Sequence, residues 1–200
     1  MSDHLTRTRE TWDREAVAYD DEPDHGLRDP SVRAAWRELL LEHLPPAPAR
    51  VADLGCGSGS LSVLLAEEGY DVSGLDLSGQ MLELARAKAE RAGVAVSFEQ
   101  GDAAEPGLEP GAFNVVMCRH VLWAMPDPSA ALERWVGLLR PGGRLLLVEG
   151  SWHTGAGLPA RRTEEFVREH RAEVSLRRLP EPVYWGGPIE DERYLVLSPA

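Results

Sequence analysis

Residues 50–60 read Arg-Val-Ala-Asp-Leu-Gly-Cys-Gly-Ser-Gly-Ser, and this stretch decides the fold. Residues 51–54 are a short run of the kind that forms a buried parallel strand. Three glycines follow at once (Gly55, Gly57 and Gly59), and they allow positive φ angles or close approach of a ligand to the backbone. Leucines then recur at helical spacing. The stretch therefore predicts a strand, a tight turn and a helix whose first N–H groups face outward to an acceptor-rich ligand.

The residues around the glycines narrow the class of ligand. A dinucleotide fingerprint needs Gly-x-Gly-x-x-Gly, and Ser60 stands in the place of its third glycine. Asp53 precedes the turn by two residues, and a carboxylate at the mouth of a site repels a pyrophosphate but attracts an ammonium or a sulfonium. The turn therefore favours a zwitterionic, cationic cofactor over NAD.

Composition limits the possible partners and compartment. The chain has 200 residues, 43% of them hydrophobic, and a formal net charge of −12, which predicts a single core and argues against nucleic acid or an anionic membrane as partner. No uncharged apolar run is long enough to span a membrane, and the first residues lack a signal-peptide pattern, so we expect a cytoplasmic protein. The two cysteines, Cys56 and Cys118, indicate neither a disulfide framework nor a zinc site.

Helical and strand patterns alternate along most of the chain. Residues 8–20 place Trp12, Ala16 and Tyr19 on one helical face, and a second helix follows Asp29-Pro30, so we expect a helical cap over residues 1–48. A core over residues 49–150 follows, and a final segment, 151–200, ends in a helix at 159–171 and two antiparallel strands. The predicted strands are residues 51–54, 71–76, 94–99, 112–118, 144–149, 173–179 and 192–197. This alternation predicts an α/β doubly wound sheet.

Polar residues at the ends of these strands should meet in one crevice, because the carboxyl ends of parallel strands share an edge of the sheet. Asp76 lies about twenty residues past Gly55, where a carboxylate accepts hydrogen bonds from both ribose hydroxyls. Asp102 follows the third strand and either accepts from an exocyclic amine or is a solvated loop residue. Met81 either packs on an adenine ring or belongs to the core.

Several motifs together resemble the class I S-adenosylmethionine-dependent methyltransferases, most closely the broad type 11 group that includes ubiquinone- and menaquinone-pathway enzymes. The resemblance covers about residues 50–150, and it implies a Rossmann-like seven-stranded sheet in the order 3-2-1-4-5-7-6, with strand 7 antiparallel and helices on both faces. The motifs are Asp-Leu-Gly-Cys-Gly-Ser-Gly (53–59), Leu-Asp-Leu-Ser (75–78), Gly-Asp-Ala (101–103), Pro-Asp-Pro (126–128) and Leu-Arg-Pro-Gly-Gly (139–143).

The resemblance implies S-adenosylmethionine as cofactor, and with it a set of cofactor-binding residues. Tyr19-Asp20 is similar to a Tyr-Asp pair that closes over the cofactor in many family members. The implied set is Tyr19, Asp53, Gly55, Cys56, Gly57, Asp76, Leu77, Met81, Asp102, Ala103, Cys118 and Arg119.

The acceptor site is less specified by the sequence. His120, just after the fourth strand, is the first candidate for a general base, and His153, after the fifth, is the second; either could instead be a structural histidine. Arg119 could anchor an acidic substrate or simply pair with a carboxylate. Trp12, Trp123 and Trp152 are candidate walls of an acceptor pocket, Trp185 less so, although tryptophans also fill cores.

One departure from the resemblance concerns metal ions. Ubiquinone-type O-methyltransferases carry a pattern similar to Glu-x-x-Glu-His after strand 4, which is associated with a divalent metal, whereas this chain has His120, Trp123 and Ala124 at those positions. The sequence therefore predicts metal-independent methylation of a small molecule, with oxygen slightly favoured as acceptor, by a monomer or homodimer. An NAD-dependent oxidoreductase of the same sheet class and a non-catalytic cofactor-binding subunit remain alternatives.

Overall fold

Seven β-strands form one sheet, in a computed structural model that describes residues 3–199, with side chains from residue 5 onward. The strands are β1 (Arg50–Leu54), β2 (Asp71–Asp76), β3 (Ser97–Gln100), β4 (Phe113–Arg119), β5 (Leu139–Ser151), β6 (Ser175–Arg178) and β7 (Glu192–Ser198). Their order in the sheet is β3-β2-β1-β4-β5-β7-β6. β1 to β5 pair in parallel, and β7 is antiparallel to both β5 and β6. The predicted fold class, strand order and antiparallel β7 are confirmed.

Helices connect the strands and precede them. They are α1 (Asp3–Glu15), α2 (Pro23–Gly26), α3 (Pro30–His43), α4 (Ser60–Glu67), α5 (Gly79–Ala92), α6 (Pro128–Gly137), α7 (Ala160–Arg168) and α8 (Pro182–Trp185), with 3₁₀ turns at Tyr19–Asp21 and Leu122–Ala124. Side chains cap two of these helices: the carboxylate of Asp29 accepts from the N–H of Ser31, and the Ser78 hydroxyl accepts from the N–H of Met81. No helix in the described part of the chain is long and apolar enough to cross a membrane.

Two apolar layers cover the two faces of the sheet, because successive strand side chains point to opposite sides. On β1, Val51 belongs to the layer that contains Trp36 of α3, whereas Ala52 and Leu54 belong to the layer that contains Trp135 of α6. The parallel strands are therefore buried on both faces. A ligand can reach them at their carboxyl ends.

The predicted helix at residues 8–20 is wrong at its end. α1 stops at Glu15, because the N–H groups of Val17 and Ala18 bond three residues back and tighten the last turn. Val17 is 91% exposed, so the next turn has no apolar face to bury there. Tyr19 consequently lies in a separate 3₁₀ turn.

The third and fifth strands also differ from their predicted bounds. β3 begins at Ser97 rather than at residue 94, because the N–H of Val94 bonds to the carbonyl of Ala89 and closes the end of α5. β5 begins at Leu139, ahead of the predicted residue 144. The register with β4 shifts over the first residues, so the Pro-Gly-Gly run is an irregularity within the strand.

Candidate functional site

A cleft of about 810 Å³ opens beside the glycine turn, at the carboxyl ends of β1, β2, β3 and β4. Its walls come from this edge of the sheet and from the N-terminal segment, which includes Leu5 and Trp12. Nine of the twelve residues predicted to bind the cofactor line it: Tyr19, Gly55, Gly57, Asp76, Leu77, Met81, Asp102, Ala103 and Arg119. The topology thus brings together residues that are dispersed over 100 positions of sequence.

The glycine turn brings its backbone against two other elements. Gly57 has a φ of +54°, and a Cβ at this position would stand 3.2 Å from a ring carbon of Tyr19. Its N–H donates to the Asp76 carboxylate at 2.8 Å. A glycine is needed here both for the backbone angle and for the close approach of the tyrosine ring.

Asp76 lies at the end of β2 with its carboxylate held in place by backbone groups. One oxygen accepts from the N–H of Gly57 and the other from the N–H of Ser78, both at 2.8 Å. Each oxygen retains a further lone pair, so the fixed carboxylate offers two acceptor positions to a ligand diol. Burial raises the pKa of this carboxyl above its ordinary value, whereas the two backbone N–H groups oppose that rise.

Asp102 is fixed in a similar way on the far side of the cleft. Its carboxylate accepts from the N–H of Ala104 at 2.8 Å, and the neighbouring carbonyl of Ala103 accepts from the indole N–H of Trp135 at 2.7 Å. Leu77 supplies apolar surface in the same cleft, whereas Met81 lies at the back of its wall with only 1% of the residue exposed, as a core residue does. The cleft thus offers one carboxylate to accept hydrogen bonds from a diol, a second to accept from an amine, and an apolar surface. This combination suits a nucleoside.

Asp53 does not stand at the mouth of the cleft, and that expectation is wrong. Its side chain is buried beneath the turn, where its carboxylate accepts from the Ser62 hydroxyl at 2.6 Å. Burial raises its pKa to about 6. The Asp53 carboxylate therefore does not repel a pyrophosphate by direct contact.

The two cysteines also face away from the cleft. The Cys118 thiol is buried and lies 3.6 Å from a carboxylate oxygen of Glu149, and the Cys56 sulfur packs beneath Gly74 of β2. Burial raises both thiol pKa values. Their predicted places beside a cofactor are therefore wrong for the side chains. Cys118 points into the interior by the alternation along β4, and Cys56 lies in the turn after β1, where its sulfur packs against β2.

The N-terminal segment is fastened over the glycine turn by a polar cluster that the sequence analysis missed. We call it the latch: Asp20, Ser58, Ser60 and Lys88. The Lys88 ammonium lies 3.0 Å from the Asp20 carboxylate and donates to the Ser60 hydroxyl at 2.6 Å, and the Ser58 hydroxyl donates to Asp20. The Asp20 and Lys88 side chains are only 14% and 15% exposed. The available signal was composition, because Lys88 is the one lysine in the sequence.

A second pocket, of about 860 Å³, adjoins the cleft and shares Trp12, Tyr19 and His120 with it. Trp123 and Trp152 line it with ring centroids 5.7 Å apart. The three tryptophans predicted to wall an acceptor site therefore meet in one place. Trp185 lies outside this lining; it is buried and donates its indole N–H to the carbonyl of Leu179.

His120 occupies the wall between the cleft and the second pocket. Its φ is +61°, and its N–H bonds to the carbonyl of Val148. The ring is held edge-on to Trp152 at 5.0 Å and stacked on Trp185 at 5.9 Å. Its Nε2 is buried without a hydrogen-bond partner among the described residues. Burial lowers the pKa of this imidazole well below its ordinary value, and nearby cations add to the effect.

His153 is not positioned as a base, and that expectation is wrong. Its side chain is 82% exposed and pairs with the Asp191 carboxylate at 3.0 Å. It lies in a turn closed by a bond from the N–H of Trp152 to the carbonyl of Ala156, and this turn directs it away from both pockets. Arg119 does line the cleft, but its guanidinium lies over the Trp36 ring at 5.1 Å and donates to the carbonyl of Asp24.

Three further residues at the site escaped the sequence analysis. Glu149 is fully buried and accepts from the N–H groups of Val121 and Leu122, so it fixes the loop that lines the cleft after β4. Asp24 and His25 line the second pocket. No local pattern marks Asp24 and His25, because their neighbours at the site come from a strand end about 95 residues later in the chain. The partners of Glu149 come 27 and 28 residues before it.

The fold and the cleft define the class of protein, and comparison with known proteins agrees with it. Residues 52–147 match the family of methyltransferase domains. This segment, just under half of the chain, carries the glycine turn and the strand ends of a class I S-adenosylmethionine-dependent methyltransferase domain.

Individual relatives are similar over part of their length. The ubiquinone biosynthesis O-methyltransferase of Ralstonia nicotianae is 42% identical over 102 residues, which cover 50% of this chain and 43% of the relative. The enzyme of the same description from Pseudomonas aeruginosa is 35% identical over 137 residues, 68% of this chain and 56% of the relative. The chain thus spans about half the length of these curated relatives.

Solved structures share the fold at low sequence identity. Geranyl diphosphate C-methyltransferase from Streptomyces coelicolor A3(2) superposes with a TM-score of 0.69 at 16% identity, covering 83% of this chain and 75% of that one.

Proposed function

We propose that the protein transfers a methyl group from S-adenosylmethionine to a small-molecule acceptor, with an oxygen favoured as the atom methylated. The observation that carries this proposal is the cleft in which the glycine turn, Asp76 and Asp102 converge from three consecutive strand ends. When bound, S-adenosylmethionine supplies an electrophilic methyl group on a sulfonium. The family of the chain and its match to O-methyltransferases support the same activity.

The cofactor would be held by groups that are already fixed. Asp76 would accept the ribose hydroxyls, Asp102 the exocyclic amine, and Leu77 would contact the adenine ring. The N–H groups of the glycine turn lie at the start of α4, where the helix dipole favours a carboxylate. Tyr19 would cover this half of the site, since its ring already packs on Gly57.

The acceptor would occupy the second pocket. Trp12, Trp123 and Trp152 present flat apolar surface there, which suits a small planar or apolar molecule. Methyl transfer needs the acceptor atom held about 3–3.5 Å from the methyl carbon, so positioning by these walls is the main task of the pocket. His120 borders both spaces and remains the candidate base, although its lowered pKa makes it a weak one at neutral pH.

Two other functions would use the same fold. An NAD-dependent oxidoreductase remains disfavoured by Ser60 at the third glycine position of the dinucleotide pattern. A non-catalytic cofactor-binding subunit is opposed by the second pocket, because a protein that only binds cofactor has no need of an aromatic chamber beside it.

Calorimetric titration tests the cofactor assignment. We expect the protein to bind S-adenosylhomocysteine and not NAD, and Asp76→Ala to lose that binding because both ribose acceptors disappear. Asp71→Ala is the matched control, since Asp71 begins the same strand at its opposite, exposed end. Binding of NAD instead, or unchanged affinity in Asp76→Ala, would refute the assignment. Transfer of labelled methyl groups to a metabolite extract then identifies the acceptor.

A further inference from the structure

Three metal-ligating side chains meet in the wall of the second pocket. One ligand atom each from Asp24, His25 and His120 lies within 4.8 Å of the other two. Three such atoms lie within about 2.8 Å of a common point, which is 4.8 Å divided by the square root of three. Side-chain movements that shift each ligand atom by less than about 1 Å would bring the three atoms to about 2.0–2.2 Å from that point. This is the bond length of first-row divalent ions to nitrogen and oxygen.

The two imidazoles carry a second, independent sign of a ligand. Nδ1 of His25 and Nε2 of His120 are buried and have no hydrogen-bond partner among the described residues. Buried polar atoms are nearly always paired, so an orphaned nitrogen on each of two adjacent rings points to a missing partner. Both rings are held in place, His25 by stacking on Tyr19 at 4.2 Å and His120 between Trp152 and Trp185.

The charged groups around the three side chains favour a cation. Arg193 lines the pocket, but its guanidinium pairs with Asp191 at 3.3 Å and lies over the Trp152 ring. Glu22 adds a second carboxylate to the same pocket beside Asp24. Arg119 adds a second guanidinium, which donates to the carbonyl of Asp24. With Asp191 counted, three carboxylates surround the cluster against two arginines, so one negative charge remains for a cation.

We propose that Asp24, His25 and His120 bind a first-row divalent metal ion. Two imidazoles and one carboxylate suit ions such as Fe²⁺, Co²⁺ or Zn²⁺ better than Mg²⁺ or Ca²⁺, which prefer oxygen ligands throughout. Residues 120–124 alone predict no metal site. The additional donors come from α2, which the fold brings onto the end of β4.

The metal site would add a part to the proposed methyl transfer, and the role suggested for it rests on that proposed function. Because His120 lines both the cleft and the second pocket, the ion would lie between cofactor and acceptor, and His120 would then act as a ligand rather than as the base. Three protein ligands leave coordination positions open, and an acceptor hydroxyl that binds there is oriented and made more acidic by the ion.

Titration of Co²⁺ into protein without a histidine tag tests the site independently of turnover. We expect one equivalent to bind, with visible absorption bands that replace those of the aqueous ion. His25→Phe keeps the ring that stacks on Tyr19 and removes the nitrogen. Asp24→Asn removes the charge. Each should weaken Co²⁺ binding at least about tenfold while circular dichroism stays unchanged. His153→Phe is the control, because that histidine is exposed and outside both pockets, and it should bind Co²⁺ as the parent does.

The outcomes separate this inference from the proposed function. No Co²⁺ binding by the parent protein, or equal binding by His25→Phe, overturns the metal site. S-adenosylhomocysteine is titrated into the same samples. If it binds while Co²⁺ does not, the metal site fails and the methyltransferase proposal stands. If Co²⁺ binds as expected and S-adenosylhomocysteine does not, the site is supported and the proposed function fails.

Discussion

At the scale of single residues, Glu149 shows how a buried group supports the site without touching a ligand. One of its carboxylate oxygens accepts from the N–H groups of Val121 and Leu122 at 2.9 and 2.7 Å, whereas Oε2 is buried without a partner in the described part of the chain. Burial raises the pKa of this carboxyl to about 7. The residue therefore positions the cleft loop at a cost in stability once it ionises.

This pKa predicts a pH dependence of stability. The pKa of Glu149 rises from 4.5 to about 7 on folding, so the folded protein holds a proton that the unfolded chain has lost. The bound proton stabilises the folded protein by about 3 kcal/mol. This stabilisation is fully present below pH 4.5 and is lost as the pH rises through about 7. Glu149→Gln stays neutral and keeps an oxygen acceptor, so its free energy of unfolding should fall about 3 kcal/mol less than the parent's between pH 5 and 8.

Urea unfolding at the two pH values measures this difference. Glu90→Gln, an exposed carboxylate on α5, serves as the control and should keep the parent's pH profile. Parallel profiles for the parent and Glu149→Gln would show that the carboxyl is already ionised in the folded protein, contrary to the prediction.

At the scale of elements, the N-terminal segment covers the cleft and is held partly by polar contacts with α5 and the glycine turn. α1 is joined to α5 by a hydrogen bond from the Ser78 hydroxyl to Asp13 at 2.6 Å, and the latch holds the next turn. Between these two points Val17 is exposed. Polar attachments at Asp13 and at the latch thus help to hold the segment over the cleft.

Removal of the latch cation should weaken cofactor binding. Lys88→Met leaves the Asp20 carboxylate, which is 14% exposed, without its cation and loosens Tyr19 over the glycine turn. We expect the Kd for S-adenosylhomocysteine to rise by about tenfold, or about 1.4 kcal/mol, in calorimetric titration. Arg91→Met removes a positive charge from the exposed face of the same helix and should leave the Kd unchanged. An equal Kd in Lys88→Met and the parent would exclude a role for the latch in binding.

At the scale of the whole molecule, the sequence was informative where local patterns repeat. Strand–helix alternation and the glycine turn predicted the doubly wound sheet, because buried parallel strands and helices have signatures a few residues long. The order of the strands came from the resemblance to the methyltransferases, not from these patterns. Asp76 and Asp102 were foreseen at the cleft for the same reason: they directly follow such strands. The division at residues 48 and 150, and the monomer or homodimer, stay predictions.

Contacts between distant segments could not be predicted in this way. Asp53 and Cys118 face inward because of the alternation along β1 and β4, which the motif alone does not reveal. His25 meets His120 only through the folding of α2 onto the sheet edge. The direction of the His120 ring depends on the positive φ of this residue. A histidine in the sequence does not predict a positive φ.

The composition of the latch gives the protein a built-in chemical reporter. Among 21 basic residues of lysine or arginine type, Lys88 carries the one side-chain primary amine in the sequence. We expect an acylating reagent to modify it slowly in the folded protein, more slowly still with S-adenosylhomocysteine bound, and rapidly in urea, as followed by peptide mass spectrometry. The acylation rate at this one nitrogen would then record how often the N-terminal segment lifts from the cleft, without any engineered label.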